Sequence, residues 1–386
     1  MWCSVVLALV QARLLRMFAR RLSGPKMSLL VVRLDQTLGD SAMNSPLLRE
    51  LRLAHPEAEI SLVVHPRIYE MVKFCPYVDH IHCYDWGKSL AHSVAKRHWL
   101  AMKFCREQLG GRHFDIAIVP RFDEDHHAAF VALFSGATRR IAYTAQVTER
   151  KSVLNAGFDL LYTELLSGAD VKHEVERNLE FIRHLGSTPV STELEFWCGK
   201  EERAFADHVL STLQPTVSPP MLVGLGLSGG HSALKRWPTR HYIELAHQIV
   251  DANPSRKVCF LLVGGKEDLP LGEQFVQAHP DTINLIGRTT ILQMGALLSR
   301  ADYFIGNDSG AMHVAAAAGS KVVGIFGSSC HHRFSPWGSR ARAISLELDC
   351  GPCKTGHRID RCSTCVHPSP KCMDELQPRR VLELVG

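Results

Sequence analysis

Short apolar runs rich in β-branched residues alternate with longer segments of helical periodicity along most of this chain. Strands that are apolar throughout, each followed by a helical segment, are typical of a parallel sheet covered by helices on both faces. The alternation therefore predicts an α/β fold. The predicted strands are 29–34, 60–64, 114–119, 140–143, 221–227, 257–264, 283–286, 303–306 and 321–326.

The chain of 386 residues is long enough for two domains, since a domain usually takes roughly 100–200 residues. The regular alternation stops between about 188 and 220, where three prolines cluster, and we place an interdomain linker at 215–220. The predicted organisation is a basic extension at 1–26, an amino-terminal unit at 27–214, a carboxyl-terminal unit at 215–349 and a tail at 350–386. Two doubly wound units joined in this way form a cleft, and ligands bind at the carboxyl ends of such sheets.

Charge and composition limit the class of partner. The chain has 44 Lys and Arg against 39 Asp and Glu, so its net charge is 44 − 39 = +5. This surplus suits a phosphorylated ligand or an anionic membrane face and is too small to indicate nucleic acid. No apolar run approaches the roughly 18–20 residues that span a bilayer. The scattered single cysteines are typical of a reduced, cytoplasmic protein.

The first 26 residues carry an apolar run followed by four arginines and a lysine. A secretory signal has its charges before the apolar run, so this order does not fit one. Two interpretations stay open: a basic amphipathic segment lying on anionic lipid, or an extension ahead of a start at Met27. The second is favoured because Met27 closely precedes a well-formed strand.

The strongest local motif follows the strand at 303–306, where Asp308, Ser309 and Gly310 lead into a helix of small residues. The first turn of such a helix presents unpaired N–H groups and the positive end of the helix dipole, so it binds anions. His313 lies one turn further, within reach of a phosphate or a sugar hydroxyl. From this segment alone, a simple helix cap with a packed core histidine is an equally good interpretation.

Two more segments follow strands of the same half. The segment 228–235 begins with Ser228 and two glycines and ends with Lys235. It suits a diphosphate, because glycines let backbone N–H groups approach the phosphates and the lysine supplies a point charge. A flexible basic loop is the alternative for that segment. Glu267 follows the next strand, where a carboxylate can bind a ribose hydroxyl or simply begin a helix.

Asp40 follows Gly39 after the first strand of the chain. Gly39 allows a sharp turn, and the carboxylate of Asp40 at the start of the next helix can cap that helix or act as a general base. On general grounds the cap is the more common role.

Taken together, these segments resemble glycosyltransferase family 9, the bacterial lipopolysaccharide heptosyltransferases. The resemblance covers about 27–386. It is carried by five motifs in order: Leu38-Gly-Asp40 with Pro46-Leu-Leu-Arg49, Ser135-Gly-Ala-Thr-Arg-Arg-Ile141, Lys235-Arg-Trp-Pro238, Asn307-Asp-Ser-Gly-Ala-Met-His313, and Phe326-Gly327.

The resemblance implies the GT-B architecture, two doubly wound Rossmann-like domains that face each other across a cleft. It also implies an inverting transferase that needs no metal and no cofactor. Asp40 matches the catalytic base of the family, and Lys235 its diphosphate-contacting lysine. The donor-binding loop corresponds to Asp308, Ser309, Gly310 and His313. Glu267 falls near the acidic position of the family that meets the ribose of the donor, and the alignment there can shift by one residue.

The implied reaction moves a heptose from ADP-heptose to a lipopolysaccharide inner core or a related glycan, in the cytoplasm or at the inner face of the inner membrane. The stretch 119–127 departs from the family pattern, so the acceptor stays open. Arg121 and Asp123 there are acceptor-side candidates, or part of a solvated acidic turn. Transfer of another nucleotide-sugar, a nucleotide-sugar epimerase of the same fold and a non-enzymatic zinc-containing binding protein are the alternatives.

The tail carries two C-x2-C pairs, Cys350 with Cys353 and Cys362 with Cys365, a form typical of a structural zinc site. The spacer of eight residues is shorter than the usual roughly 15–20, and a fifth cysteine, Cys372, is left over. A short helix with proline at its first position is predicted at 378–385. By resemblance, it packs toward the amino-terminal domain.

Overall fold

The computed structural model of the protein describes residues 26–87, 93–110, 112–168, 171–213, 219–230, 232–353 and 364–385. The described residues form two compact units. The first takes in 26–36 and 46–192, and the second takes in 37–45 and the described residues from 193 to 385. The basic extension at 1–25 lies outside the described residues, so neither interpretation of it is tested.

The first unit is a doubly wound parallel sheet with the strand order β3-β2-β1-β4-β5-β6. Its strands are β1 (Ser28–Arg33), β2 (Glu59–Val64), β3 (His80–Cys83), β4 (Ile116–Val119), β5 (Arg139–Tyr143) and β6 (Glu164–Leu166). Its helices are α2 (Ser45–Ala54), α3 (Tyr69–Val72), α4 (Val94–Gln108), α5 (His127–Phe134), α6 (Glu149–Leu154) and α7 (Glu174–His184). The central strands are buried almost throughout, as their apolar sequences predict.

The second unit repeats this plan with the parallel order β12-β11-β10-β7-β8-β9. Its strands are β7 (Met221–Gly226), β8 (Val258–Leu262), β9 (Ile283–Asn284), β10 (Tyr303–Asn307), β11 (Lys321–Phe326) and β12 (Ala341–Ser345). Its helices are α1 (Leu38–Met43), α8 (Lys200–Ser211), α9 (Thr239–Ala252), α10 (Leu269–Ala278), α11 (Ile291–Leu298), α12 (Gly310–Ala318), α13 (His331–Phe334), α14 (Lys371–Asp374) and α15 (Pro378–Leu382).

Every predicted strand is present, but three edge or near-edge strands, β3, β6 and β12, were not predicted. They are short or carry charged and half-exposed residues, as in the Ala-Arg-Ala-Ile-Ser sequence of β12. A strand at the rim of a sheet has only one neighbour to bury it, so it lacks the continuous apolar run by which central strands are recognised.

The chain divides into its two units earlier than predicted, between Thr192 and Glu193 and not at 215–220. The reason is that α8 packs on α11 of the second unit, where the guanidinium of Arg300 donates to the carboxylate of Asp207 at 2.8 Å. The segment 37–45 also groups with the second unit. The predicted assignment of Asp40 to the amino-terminal unit is therefore wrong.

The closing helix α15 begins with proline as predicted, and it packs on α9 within the second unit. Val381 is fully buried in the core of the second unit, and the indole N–H of Trp237 donates to the carbonyl of Leu376 at 2.9 Å. Among the described residues, none of the helices is both long enough and apolar enough to cross a bilayer.

Candidate functional site

The site forms at the carboxyl ends of β7 and β10 in the second unit, where Asn307 joins two loops. The Asn307 side chain is fully buried and accepts a hydrogen bond from the backbone N–H of Trp237 at 3.0 Å. Its amide donates to the carbonyls of Leu227 and Ser228 at 3.0 and 3.2 Å. These bonds fix the glycine-containing loop after β7 against the strand that carries Asp308.

Asp308 is buried and lies beside two predicted donor-site residues, Lys235 and His313. The ammonium of Lys235 donates to Oδ2 of Asp308 at 2.5 Å, and Nε2 of His313 lies 3.9 Å from Oδ1. Burial alone would raise the pKa of Asp308, but the hydrogen bond from His313 and the charge of Lys235 outweigh it and hold that pKa well below its usual range. The carboxylate therefore stays ionised and positions two donors beside the start of α12.

The start of α12 is the place where the sequence predicts an anion-binding element. Ser309 adopts an extended N-cap conformation without making a side-chain capping bond, and Gly310 begins the helix. The hydroxyls of Ser309, Ser328 and Ser329 are buried without a hydrogen-bond partner. Unpartnered hydroxyls, free N–H groups and the positive end of a helix dipole are the groups that phosphate oxygens bind.

Helix α1 lies directly against α12 through two glycines. A Cβ atom added at Gly39 would stand 2.6 Å from Cδ2 of His313, and one added at Gly310 would stand 2.8 Å from Cβ of Leu38. Asp40 is thus the next residue after a point of backbone contact with the anion-binding helix. It is half-buried, and the hydroxyl of Thr37 donates to its Oδ2 at 2.5 Å.

The loop after β8 leaves the predicted donor residue Glu267 exposed and buries the next residue, Asp268. The side chain of Glu267 folds over Gly265. Asp268 accepts from the N–H of Gly265 at 3.1 Å and lies beside the side chain of Ser228. On balance, burial raises the pKa of Asp268. The carboxylate that faces the Ser228 loop is therefore that of Asp268, and the role of Glu267 toward a ribose stays a prediction.

The acceptor-side candidates Arg121 and Asp123 belong to the first unit, in the loop after β4. The guanidinium of Arg121 lies 3.7 Å from the buried carboxylate of Asp35, which also pairs with Arg33 at 2.7 Å. Asp125 in the same loop accepts from the N–H of Ala128 at 2.8 Å at the start of α5. The carboxylate of Asp125 is therefore fixed within the fold, whereas the acceptor-side role of Arg121 and Asp123 stays a prediction.

The cysteine-rich tail brings several of its cysteines to one cavity. Cys350, Cys353 and Cys365 line one cavity of about 480 Å³ together with His367 and Cys372. Cys362 lies outside the described residues. Among the described residues, no three His, Cys, Asp or Glu side chains are arranged so that they could hold a metal ion. Structural zinc in the tail stays a prediction.

Sequence reasoning missed three features of this site: the Asn307 bridge, the hydroxyls of Ser328 and Ser329, and the burial of Asp268. Ser328 and Ser329 come just after β11, which is the neighbour of β10 in the sheet. Their position at the carboxyl end of that strand could have indicated them as site candidates. No sequence signal marked Asn307 as a bridge, because its partners are backbone groups of a loop about 70–80 residues away.

The family model described as "Glycosyltransferase family 9 (heptosyltransferase)" matches residues 102–362. The chain is 31% identical over 168 residues to lipooligosaccharide heptosyltransferase 2 of Campylobacter jejuni; this match covers 42% of the chain and 49% of the relative. The chain thus spans about half the length of that relative.

Longer matches extend over nearly the whole chain. Identity to lipopolysaccharide heptosyltransferase 2 of Escherichia coli is 24% over 360 residues, covering 90% of this chain and 94% of the relative. The solved Escherichia coli ADP-heptose lps heptosyltransferase II superimposes with a TM-score of 0.65 at 21% identity, covering 93% of this chain and 97% of that one. This likeness and the two doubly wound units confirm the predicted GT-B fold class.

Proposed function

Since the chain belongs to glycosyltransferase family 9, as its motifs suggested, we propose that it transfers a heptose from ADP-heptose to a lipopolysaccharide inner-core or related glycan acceptor. The Campylobacter and Escherichia coli relatives are named as heptosyltransferases of lipooligosaccharide and lipopolysaccharide. The single observation that best supports the proposal is the contact of Gly39 with His313, because Asp40 follows Gly39 directly and His313 belongs to α12.

The donor's diphosphate binds at the start of α12 in this proposal. Its oxygens accept from the N–H groups of the first turn, from the hydroxyl of Ser309 and from Lys235. Asp308 keeps the ammonium of Lys235 at this position. As the bond between the anomeric carbon and the diphosphate breaks, negative charge grows on the leaving oxygen, and these donors stabilise it without a metal ion.

Asp40 is the general base. It accepts the proton of the acceptor hydroxyl while that oxygen attacks the anomeric carbon from the face opposite the diphosphate. One C–O bond forms and another breaks on the opposite side, so the configuration at this carbon inverts. Asp308 is unsuited to this role because Lys235 and His313 beside it stabilise the ionised form and so weaken it as a base.

The identity of the nucleotide is supported by the Escherichia coli enzyme, whose name includes ADP-heptose. A panel of ADP-, UDP- and GDP-linked sugars, with release of the nucleoside diphosphate as readout, tests the proposal. We expect ADP-heptose to be consumed only when a core-type acceptor is present. Equal use of UDP- or GDP-linked sugars would reject ADP-heptose as the donor, and conversion of the donor to an isomeric nucleotide-sugar without an acceptor would indicate an epimerase instead.

A further inference from the structure

Helix α4 of the first unit carries an exposed tryptophan. Trp99 exposes 52% of its surface, more than any other tryptophan among the described residues. The opposite side of α4 is fixed in the core through Ala101, Phe104 and Cys105. The exposed indole therefore projects from a helix whose orientation is set by packing and not from a loose loop.

Cations surround this indole at helical spacing. With 3.6 residues per turn, Lys96, Lys103 and Arg106 fall on the same side of α4 as Trp99, and all four are exposed. We call these four residues the Trp99 face. The ammonium of Lys103 lies 5.5 Å from the centre of the indole ring, which is within the range of a cation–π contact. The only acidic residue of α4 is Glu107, which lies 3.6 Å from Arg106.

This composition fits a lipid surface better than a protein partner. A protein interface surrounds its aromatic anchor with apolar groups that exclude water, whereas Lys96 and Lys103 lie beside Trp99 here together with the small Ala95 and the half-buried Met102. At a bilayer surface, the amphipathic indole lies at the level of the headgroups while lysine and arginine bind anionic lipids. We propose that the Trp99 face docks the first unit on an anionic phospholipid bilayer.

This inference goes beyond the proposed reaction, and its test needs no turnover. The first unit offers a matched control in Phe74, which is 43% exposed and has the ammonium of Lys73 at 5.1 Å from its ring. Phe74 follows α3, which leads from β2 out to β3, whereas α4 leads back from β3 to β4. Right-handed crossovers in opposite directions place α3 and α4 on opposite faces of the sheet.

The experiment is co-sedimentation of the full chain with vesicles of phosphatidylglycerol and phosphatidylcholine, compared with vesicles of phosphatidylcholine alone. We expect Trp99→Ala to weaken binding to the anionic vesicles about tenfold. The double variant Lys96→Gln/Lys103→Gln should weaken it roughly twentyfold, at roughly fivefold per lysine. Added salt should weaken the wild type further. The control Lys73→Gln/Phe74→Ala should bind within about twofold of wild type.

A second measurement locates the contact. Brominated phosphatidylglycerol quenches the fluorescence of tryptophans that enter the bilayer interface, and we expect this quenching to fall in Trp99→Phe. Thermal unfolding of each variant checks that the fold is intact. The proposal is overturned if the wild type does not bind anionic vesicles, if it binds neutral vesicles equally well, or if both sets of Trp99-face variants bind like wild type. A control that loses binding as strongly as these variants would also overturn it.

Discussion

Gly39 of α1 and His313 of α12 are in such close contact that one added methyl group would overlap the imidazole. The Cβ of an alanine at position 39 would lie 2.6 Å from Cδ2 of a ring that is 3% exposed. Nε2 of His313 also lies 3.9 Å from Oδ1 of Asp308. The packing of two helices and the geometry of the anion site therefore depend on the same side chain.

We predict that Gly39→Ala lowers kcat/KM by about tenfold or more, because the methyl group displaces His313 from Asp308. The effect should be strongly non-additive with His313→Ala, since that change removes the atoms with which the methyl group collides. Steady-state kinetics of the two single variants and the double variant measure this coupling. If the two effects simply add, the contact does not act through His313.

Asp40→Asn is expected to reduce kcat by roughly 10²–10⁴-fold and to leave donor affinity nearly unchanged, because the amide keeps the shape but cannot accept the proton. Calorimetric titration with the nucleoside diphosphate measures the affinity, and single-turnover assays measure the chemical step. Asp85→Asn, an exposed aspartate of the first unit, is the matched control. Normal turnover in Asp40→Asn would remove this carboxylate from the mechanism.

The hydroxyl of Thr37 provides a more sensitive test of the role of Asp40 as the general base. It donates to Asp40 at 2.5 Å, and this hydrogen bond favours the ionised carboxylate. Thr37→Val should therefore raise the apparent pKa on the acidic side of the kcat/KM profile. An unchanged profile in this variant would indicate that another group titrates.

The sequence sufficed to predict the central strands of both sheets, because each is a continuous apolar run. It did not reveal three of the four edge strands, β3, β6 and β12, whose residues are half polar. In the site, the glycines, Lys235 and Asp308 were recognisable as residue types suited to phosphate. The contact between Gly39 and His313 could not be predicted, because a glycine in a sequence does not indicate which side chain packs on it from a helix about 270 residues later.

Lys151 predicts a pH dependence of stability in the first unit. Its side chain is buried and donates to the carbonyls of Arg121 and Tyr143, both at 3.0 Å. Burial lowers the pKa of Lys151 to about 8, although Asp125 and Asp123 oppose this shift. Between about pH 8 and the ordinary value of 10.5 the unfolded chain binds more protons, so this group makes the folded state more stable as the pH rises through that window.

The full effect is about 3 kcal/mol at most, since one pKa unit corresponds to roughly 1.4 kcal/mol. Urea unfolding at about pH 7.5 and about pH 9.5 should show this rise in the wild type but not in Lys151→Met. Lys200→Met, at an exposed lysine of α8, should retain the wild-type dependence. The same slope in Lys151→Met would assign the pH dependence to other groups.

A chelator such as EDTA should leave the rate of sugar transfer unchanged, because Lys235 and the start of α12 supply the positive charge that the departing diphosphate needs. Elemental analysis before and after the treatment tests separately for structural zinc in the tail, where Cys350 and Cys365 line the same cavity. A rate that falls with EDTA and returns with Mg²⁺ would contradict metal-independent transfer.

The grouping of 37–45 with the second unit has a practical consequence for engineering. A fragment cut at Glu193 would keep the phosphate-binding loops but lack Asp40, and the side of α12 that α1 covers would be left bare. Chimaeras that exchange whole halves between relatives would pair α1 of one parent with α12 of the other. To preserve the fit of Gly39 and Leu38 on their partners, such hybrids should move these nine residues together with the carboxyl-terminal half.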